Sequence, residues 1–374
     1  MEDWSAHQLF KAASASLDRK AATALSAYAR TLQSAELPVV FSLKHLSGIV
    51  GVNYDTLRES VRRKREAANY RMYRIAKRDG TFRHIHEVTS DLFRVQTFLA
   101  HEILAKVSPH RAAFAFHVGG GIKRCAAKHC GARWLFQYDL SNFFYSINEA
   151  DVYDLFCRLG YRPLLAFEFA RLSTTIRMPR NMSGVIKLAS PEHIGMPYAD
   201  ACNKLGVLPQ GAPSSPAISN LIARDLDERL TKVAARYDLV YTRYADDITV
   251  SGMDVGEGRS RGEIHRSVIH AIRKSGFVEN ESKTRVAGPG SKKLVLGLLV
   301  DGPQPRLSNQ MYERVDTRLY ACRKFGLKAT ADFYKFDSAY GFYNHLAGLL
   351  AFTKDVDPLS WTRFAPRFKE IPPP

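Results

Sequence analysis

The sequence predicts an α+β fold built round an antiparallel sheet of split βαβ topology, and three stretches carry that reading. Residues 239–250 hold two runs rich in Tyr, Val, Ile and Thr on either side of a tight turn at Ala245-Asp246, the pattern of a β-hairpin. Residues 133–139 read as a strand that ends on Asp139, and residues 295–300 as an apolar strand that turns at Asp301-Gly302. Helical stripes separate them, so the order strand, helices, hairpin, helix, strand is β-α-β-β-α-β.

The elements follow in chain order. Residues 1–42 read as one or two helices, with Leu9, Ala12, Ala13 and Leu17, then Ala24, Leu25, Tyr28 and Leu32, at helical spacing. Short helices are expected over 42–65. Alternation over 70–75, a turn at Asp79-Gly80 and a return over 82–86 predict a hairpin. Leu92, Val95, Phe98, Leu99, Ile103 and Leu104 make 90–107 an amphipathic helix, and 113–121 turns glycine-rich. Helices are expected over 150–159 and 164–172, with 173–206 polar and irregular. Residues 208–216 form a Gly-Pro-Ser turn that opens a helix bearing Ile218, Leu221, Ile222, Leu226 and Leu230. Ile264, Val268, Ile269, Ala271 and Ile272 form a further stripe closed by Gly276. From 308 onward, stripes carrying Arg314, Arg318, Arg323, Lys324 and Lys328 predict a small basic helical lobe.

At 374 residues the chain has room for two or three subdomains, and 45% hydrophobic residues suffice for a core. The balance of 54 basic against 37 acidic residues leaves a net charge of +17. The excess is concentrated: residues 61–83 hold nine Lys or Arg against two acids, with Tyr70, Tyr73 and Phe82 interleaved. A polyanion with stackable bases suits such a stretch, although a solvated basic face has the same composition. Residues 1–14 mix charge with small residues and no apolar run reaches ~18 residues, which points to a cytoplasmic protein with no membrane partner. The odd, scattered set Cys125, Cys130, Cys157, Cys202 and Cys322 argues against a disulfide framework. Cys125, His129, Cys130 and His117 crowd together, but their spacing matches no common zinc pattern.

The chemistry is concentrated in carboxylates. In a regular strand Asp246 and Asp247 would face opposite ways, so bringing both to one centre needs the turn. Alone, such a pair reads as an acidic tip facing solvent. Asp139, at a strand end and on the face opposite Trp134, Phe136 and Tyr138, supplies a third carboxylate. Three Asp from two strands can hold two Mg²⁺ ions, a phosphoryl-transfer arrangement. In the basic hairpin Lys77 and Arg83 could grip a triphosphate, or lie as surface cations.

Taken in order, Asp139 with Phe144, Leu208-Pro209-Gln210-Gly211, Tyr244-Ala245-Asp246-Asp247, Asn280 to Lys283, and Leu296-Gly297 resemble the successive motifs of reverse transcriptases. The match spans about residues 50–300. Residues 208–216 and 241–247 bring the chain nearest the bacterial retron reverse transcriptases. That group has Asn-Ala-x-x-His before the first Asp, where Cys125-Ala126-Ala127-Lys128-His129 keeps Ala and His with Cys for Asn. It has Val-Thr-Gly near the end of the palm, where Val295-Leu296-Gly297 has Leu for Thr.

The resemblance implies a right-hand polymerase: a helical extension at 1–42, fingers at 43–132, a palm at 133–300 with fingers-like and irregular insertions at 150–206, and a helical thumb at 301–374. It implies that Asp139, Leu140, Asp246 and Asp247 hold two Mg²⁺ ions, replaceable by Mn²⁺. Phe144 is implied as the steric gate that admits dNTPs, with Gln210 and Gly211 lining the nucleotide pocket and Lys283 assisting pyrophosphate departure. Leu296 and Gly297 correspond to the primer grip, and Arg314 and Arg318 to a thumb on the template–primer duplex. His129 is the candidate for RNA-specific contact. The implied partners are a structured non-coding RNA serving as template and primer, its short multicopy DNA product joined through a guanosine 2′-hydroxyl, and an effector protein in phage defence. Three alternatives remain beside it. One is an intron-type or defence-associated reverse transcriptase without branched priming; the little chain after residue 370 favours the retron. A second, a nucleotidyl cyclase on the same palm, is disfavoured by Phe144 and Gln210-Gly211. The third, a non-catalytic RNA-binding scaffold, is disfavoured by the intact Asp139, Asp246 and Asp247.

Overall fold

The computed structural model describes residues 5–76, 80, 82–189, 204–255 and 261–374. The N-terminal half contains α1 (Ala6–Ser14), α2 (Arg19–Ser34), α3 (Leu43–Val50), α4 (Tyr54–Val61), α5 (Glu66–Asn69), strands β1 (Tyr70–Ala76) and β2 (Phe82–Val88), and α6 (Ser90–Phe98). Next come α7 (Ile122–Ala127), β3 (Trp134–Asp139), α8 (Glu149–Arg158), α9 (Pro163–Ser173), α10 (Ser215–Ile222) and α11 (Arg224–Arg236). The remainder is β4 (Val240–Tyr244), β5 (Asp247–Gly252), α12 (Arg261–Lys274), β6 (Arg285–Ala287), β7 (Leu294–Val295), β8 (Leu298–Leu299), and helices α13 (Asn309–Phe325), α14 (Leu327–Phe333), α15 (Ala339–Val356) and α16 (Pro358–Lys369).

The chain divides into two compact units. The first comprises Met1–His117, Leu140–Leu230 and Ile269–Glu279. In it β1 and β2 form the expected antiparallel hairpin, Tyr70 opposite Val88 and Ala76 opposite Phe82. Capping explains where α8 begins: the Asn148 side chain accepts from the Ala150 and Asp151 amides while Asp151 Oδ2 accepts from the Asn148 N–H at 2.8 Å.

An ionic network holds this unit together. Arg63, in the left-handed region at φ 61°, donates to Glu149 Oε2 at 2.6 Å, Thr174 Oγ1 at 2.6 Å and Glu66 Oε1 at 2.9 Å. Arg171 pairs with the other Glu149 oxygen. The Gly206 N–H donates to Glu149 Oε2, the Glu149 N–H to the Gly206 carbonyl, and Val207 bridges Thr175 and Asn148. Residue 207 leads straight into 208–211, so the network fixes the foot of that loop. Glu149 is fully buried between two cations, and removing it takes one carboxylate partner from each of them in a low dielectric. Glu149→Ala is therefore expected to cost ~3–5 kcal/mol in chemical denaturation. Asp225→Ala, which removes the exposed Arg229 pair and an exposed contact with the Ser275 hydroxyl, should cost far less.

The second unit comprises Val118–Asp139, Thr231–Val268 and Asn280–Pro374. Its centre is an antiparallel four-stranded sheet in the order β4-β5-β3-β6. One face carries Phe136, Tyr138, Ile248, Val250 and the fully buried Arg243. Tyr138 stacks on His265 of α12, ring centroids 5.7 Å apart. By alternation along paired strands the other face carries Gln137 and Asp139, Asp247, Thr249 and Ser251, and Thr242. A separate core of Ala126, Leu135, Val295, Leu298, Val300, Leu307 and Val356 lies in the same unit. In the C-terminal lobe α13–α16 enclose Val315, Leu319, Phe342, Leu346, Leu350 and Phe364. Among the described residues no helix is long and apolar enough to cross a membrane.

Two expectations need correction. The fourth strand of the sheet is Arg285–Ala287, not 295–300. The apolar run 295–300 breaks because Leu296 and Gly297 both take positive φ, 50° and 84°, and turn the chain into the two-residue hairpin β7–β8. The helix expected after 216 is two helices, parted at Ala223.

Candidate active site

The acidic cluster lies wholly in the second unit. Tyr244 pairs with Asp247, which leaves Ala245-Asp246 as a two-residue loop, and Asp247 pairs on its other side with Asp139. The loop closes because Ala245 takes φ 56°, a left-handed conformation that costs an L-residue ~1–2 kcal/mol. Arg243 Nη1 donates to the Ala245 carbonyl at 3.1 Å and so holds that conformation from the buried face of the sheet.

The cluster is open to solvent, with Asp247 exposed and Asp246 half-buried. Protein atoms crowding the Asp247 carboxyl, then the charges of Asp246 and Asp139, push its pKa up to about 6, with Lys283 acting in the opposite sense. Water screens part of this at so exposed a group, and the direction is what matters: the cluster is short of positive charge. Lys283 Nζ lies 2.8 Å from Asp139 Oδ2 and is itself raised, first by that hydrogen bond. Asn280, which sequence reasoning did not single out as a site residue, donates its side-chain amide to Asp139 Oδ1 at 3.4 Å and its backbone N–H to the Asp139 carbonyl at 2.7 Å. Its place in the 280–283 motif was the available signal. Among the described residues no three His, Cys, Asp or Glu side chains close into a metal cage by themselves. Mg²⁺ does not require one, because it takes one or two protein carboxylates and completes its octahedron with water and phosphate. Three carboxylates on one face of the sheet, one of them raised by burial and by its two neighbours, fit such a cation.

The expected nucleotide-pocket residues other than Lys283 and Lys77 meet in the first unit. Leu140, which follows Asp139, is buried and bridges Glu279. Phe144 is half-buried, its ring 5.5 Å from Phe143 and 6.2 Å from Phe116. Phe116 is a brace the sequence did not disclose; it sits at φ 64° and is 45% exposed. Next to Phe144, the Tyr145 hydroxyl donates to the His84 carbonyl at 3.2 Å. The His86 N–H donates to the Gln210 carbonyl at 2.8 Å, which straps the loop to β2, the strand that also carries the exposed Arg83. Lys77 lies outside the described residues.

Gly211 shows why this loop needs glycine. Its φ is 109°, and a Cβ there would stand 3.0 Å from the His86 carbonyl oxygen and 2.8 Å from Ile85 Cγ2. Gly211→Ala should push the loop off β2, raising the KM for dNTP by ~10-fold or more with little change in RNA affinity, as steady-state kinetics beside a filter-binding assay would show.

The RNA-side residues are dispersed. Leu296 and Gly297 form the tip of the β7–β8 turn, Gly297 with open space where a Cβ would be. Arg314 is exposed on α13, whereas Arg318 donates to His345 Nε2 at 2.6 Å and lies over the Tyr334 ring at 4.9 Å. His129 is only 1% exposed, and both ring nitrogens are hydrogen-bonded inside the unit. It is a packed internal histidine rather than a surface one.

Comparison with known proteins agrees with this layout. The model of the family Reverse transcriptase (RNA-dependent DNA polymerase) matches residues 63–299. Retron Mx65 reverse transcriptase of Myxococcus xanthus is 32% identical over 336 residues, 89% of this chain and 72% of that protein. Retron Ec86 reverse transcriptase of Escherichia coli is 27% identical over 291 residues, 77% of this chain and 80% of that protein. A more distant likeness is to the foamy viral protease–reverse transcriptase in complex with double-stranded DNA, with TM-score 0.40, 16% identity, and 80% of this chain and 38% of that chain covered. An acid-bearing four-stranded palm sheet, a family match across most of the chain, and relatives alike over its length lead to one assignment: the chain belongs to the reverse transcriptase family, the RNA-dependent DNA polymerases, and within it to the retron reverse transcriptases.

Proposed function

We propose that this RNA-directed DNA polymerase copies part of a structured non-coding RNA into a short multicopy single-stranded DNA covalently joined to RNA. The observation that carries the reading is the cluster of Asp139, Asp246 and Asp247 beside Lys283, set on one face of the sheet. Reverse transcriptases use divalent metal ions; here Asp139, the Leu140 carbonyl, Asp246 and Asp247 are the groups that would hold two Mg²⁺, or Mn²⁺ in their place. Such ions, when bound, supply Lewis-acid activation of a primer hydroxyl and neutralise the leaving pyrophosphate. Lys283 adds a mobile positive charge that can leave Asp139 for a phosphate oxygen. Gln210 and Gly211 shape the nucleotide pocket, Arg83 and Lys77 contribute charge to the triphosphate, and the Phe144 ring excludes a 2′-hydroxyl. Leu296 and Gly297 serve as primer grip, and Arg314 and Arg318 face duplex backbone, which makes binding salt-sensitive.

In this reading residues 1–42 are an extension, 43–132 the fingers, 133–300 the palm with insertions at 150–206, and 301–374 the thumb. The protein works in the cytoplasm, takes dNTPs, and acts in phage defence with an effector encoded beside it.

The test is to express the gene with its flanking DNA, extract nucleic acid, and resolve it on a denaturing gel with and without RNase and debranching enzyme. A short DNA whose mobility shifts after both treatments is the expected result. DNA without a branched RNA would instead identify a reverse transcriptase that primes otherwise. No DNA, even from generic primed template, would leave only the RNA-binding scaffold.

A further inference from the structure

We propose that Cys125, Thr242, His129 and Ser251 form a hydrogen-bonded strut that positions the hairpin carrying Asp246 and Asp247, so that His129 serves DNA synthesis without touching RNA. The inference rests on the polymerase reading of that hairpin.

His129 lies in the turn after α7. Its Nε2 is 2.7 Å from Thr242 Oγ1 on β4 and its Nδ1 is 2.6 Å from Ser251 Oγ on β5, so one imidazole ties together both strands of the hairpin. Cys125, four residues earlier on α7, donates its thiol hydrogen to the same Thr242 oxygen at 3.3 Å. Both titratable members of this chain of contacts stay uncharged. Burial pushes the Cys125 thiol up to about 11, which keeps its hydrogen on sulfur, and burial takes the imidazole down to about 3, which keeps it neutral. The thiol donates to Thr242 Oγ1, and the hydroxyls of Thr242 and Ser251 each share a hydrogen with the ring nitrogen they face. The neutral imidazole carries one N–H and one bare nitrogen, and a hydroxyl can serve either as acceptor or as donor, so both contacts are satisfied and the distance between the two strands is held.

The strut is placed where the hairpin needs it. Among the described residues β4 is an edge strand paired with β5, and a two-residue loop separates them. The opposite face is gripped by apolar side chains and by Arg243 at the Ala245 carbonyl. Thr242 and Ser251 lie on the other face, the one that carries Asp139 and Asp247, where the strut is a polar grip on the same hairpin.

The test compares Thr242→Val, Thr242→Ser, His129→Ala and the double variant His129→Ala/Thr242→Val in the full chain, on a generic primed RNA. Thr242→Val keeps the side-chain shape and removes only the hydroxyl. Thr242→Val and His129→Ala should each lower kcat by ~10-fold or more, since a displacement of the reacting groups by a fraction of an ångström is enough. KM for dNTP and Kd for template–primer should stay within about twofold, the double variant should be no slower than His129→Ala, and Thr242→Ser should restore most of the rate. Amide exchange over 240–252 should quicken in His129→Ala whether or not the chain makes DNA, so the strut is read separately from the activity. Loss of template–primer affinity at unchanged kcat would overturn the proposal in favour of an RNA contact. Additive effects of the two substitutions, or unaltered exchange in the hairpin, would overturn it as well.

Discussion

Asp246→Asn is expected to lower DNA synthesis by ~10³-fold or more while the protein stays folded and bound to its RNA. The substitution keeps the size of the side chain and removes one of three negative charges. With Asp246 neutral, one of the influences that raise the Asp247 carboxyl disappears, and that carboxyl moves back toward the ordinary range. Repulsion within the cluster falls at the same time, so Tm should hold or rise slightly, the usual trade between stability and an active site built of like charges. The RNA-binding surfaces proposed at Arg314 and the primer grip are separate side chains, and affinity should be unchanged. Primer extension, thermal denaturation and filter binding on one preparation check all three points. Synthesis near the wild-type level, or its loss together with folding, would remove Asp246 from the proposed site.

Local periodicity made much of this molecule legible. Alternation along 133–139 placed Asp139 opposite the apolar side chains of its strand, and the register with β5 sets it beside Asp247 on that same face. The turn at Ala245-Asp246 could be read because β-prone residues flank it, even though neither loop residue is a glycine. Non-local pairing was what sequence could not disclose. Arg63 sits in a run of basic residues that reads as a solvated face, yet it is buried against Glu149, 86 residues away. The edge strand Arg285–Ala287 is three residues long, too short for any period to register, while the more apolar 295–300 attracted the assignment and is broken by a left-handed Leu296. His129 entered as a candidate for RNA contact through its match to the Asn-Ala-x-x-His signature; in space its neighbours are Thr242 and Ser251, more than a hundred positions on.

Phe144→Ala is expected to raise the kcat/KM for ribonucleotides by ~10²-fold, with only a few-fold loss for deoxynucleotides. The proposed gate ring packs against two aromatic neighbours. It leans on Phe143 at an interplanar angle of 58° and on Phe116 at 43°, and the segment that ends in Tyr145 is tethered to the His84 carbonyl. A rigid ring rejects an added hydroxyl by overlap, whereas a mobile one would yield to it at small cost. Truncation to Ala empties the space that a 2′-hydroxyl needs and leaves the Asp cluster, Lys283 and the Gln210–β2 strap untouched, so chemistry on dNTPs continues. Phe144→Tyr should keep the discrimination, because its ring retains both supports. Phe116→Ala should weaken it to an intermediate degree, since it withdraws one support and leaves the ring in place. Single-nucleotide extension with dTTP and UTP opposite the same template base measures each ratio. If Phe144→Ala uses dTTP well and still refuses UTP, selection against ribonucleotides resides elsewhere in the pocket.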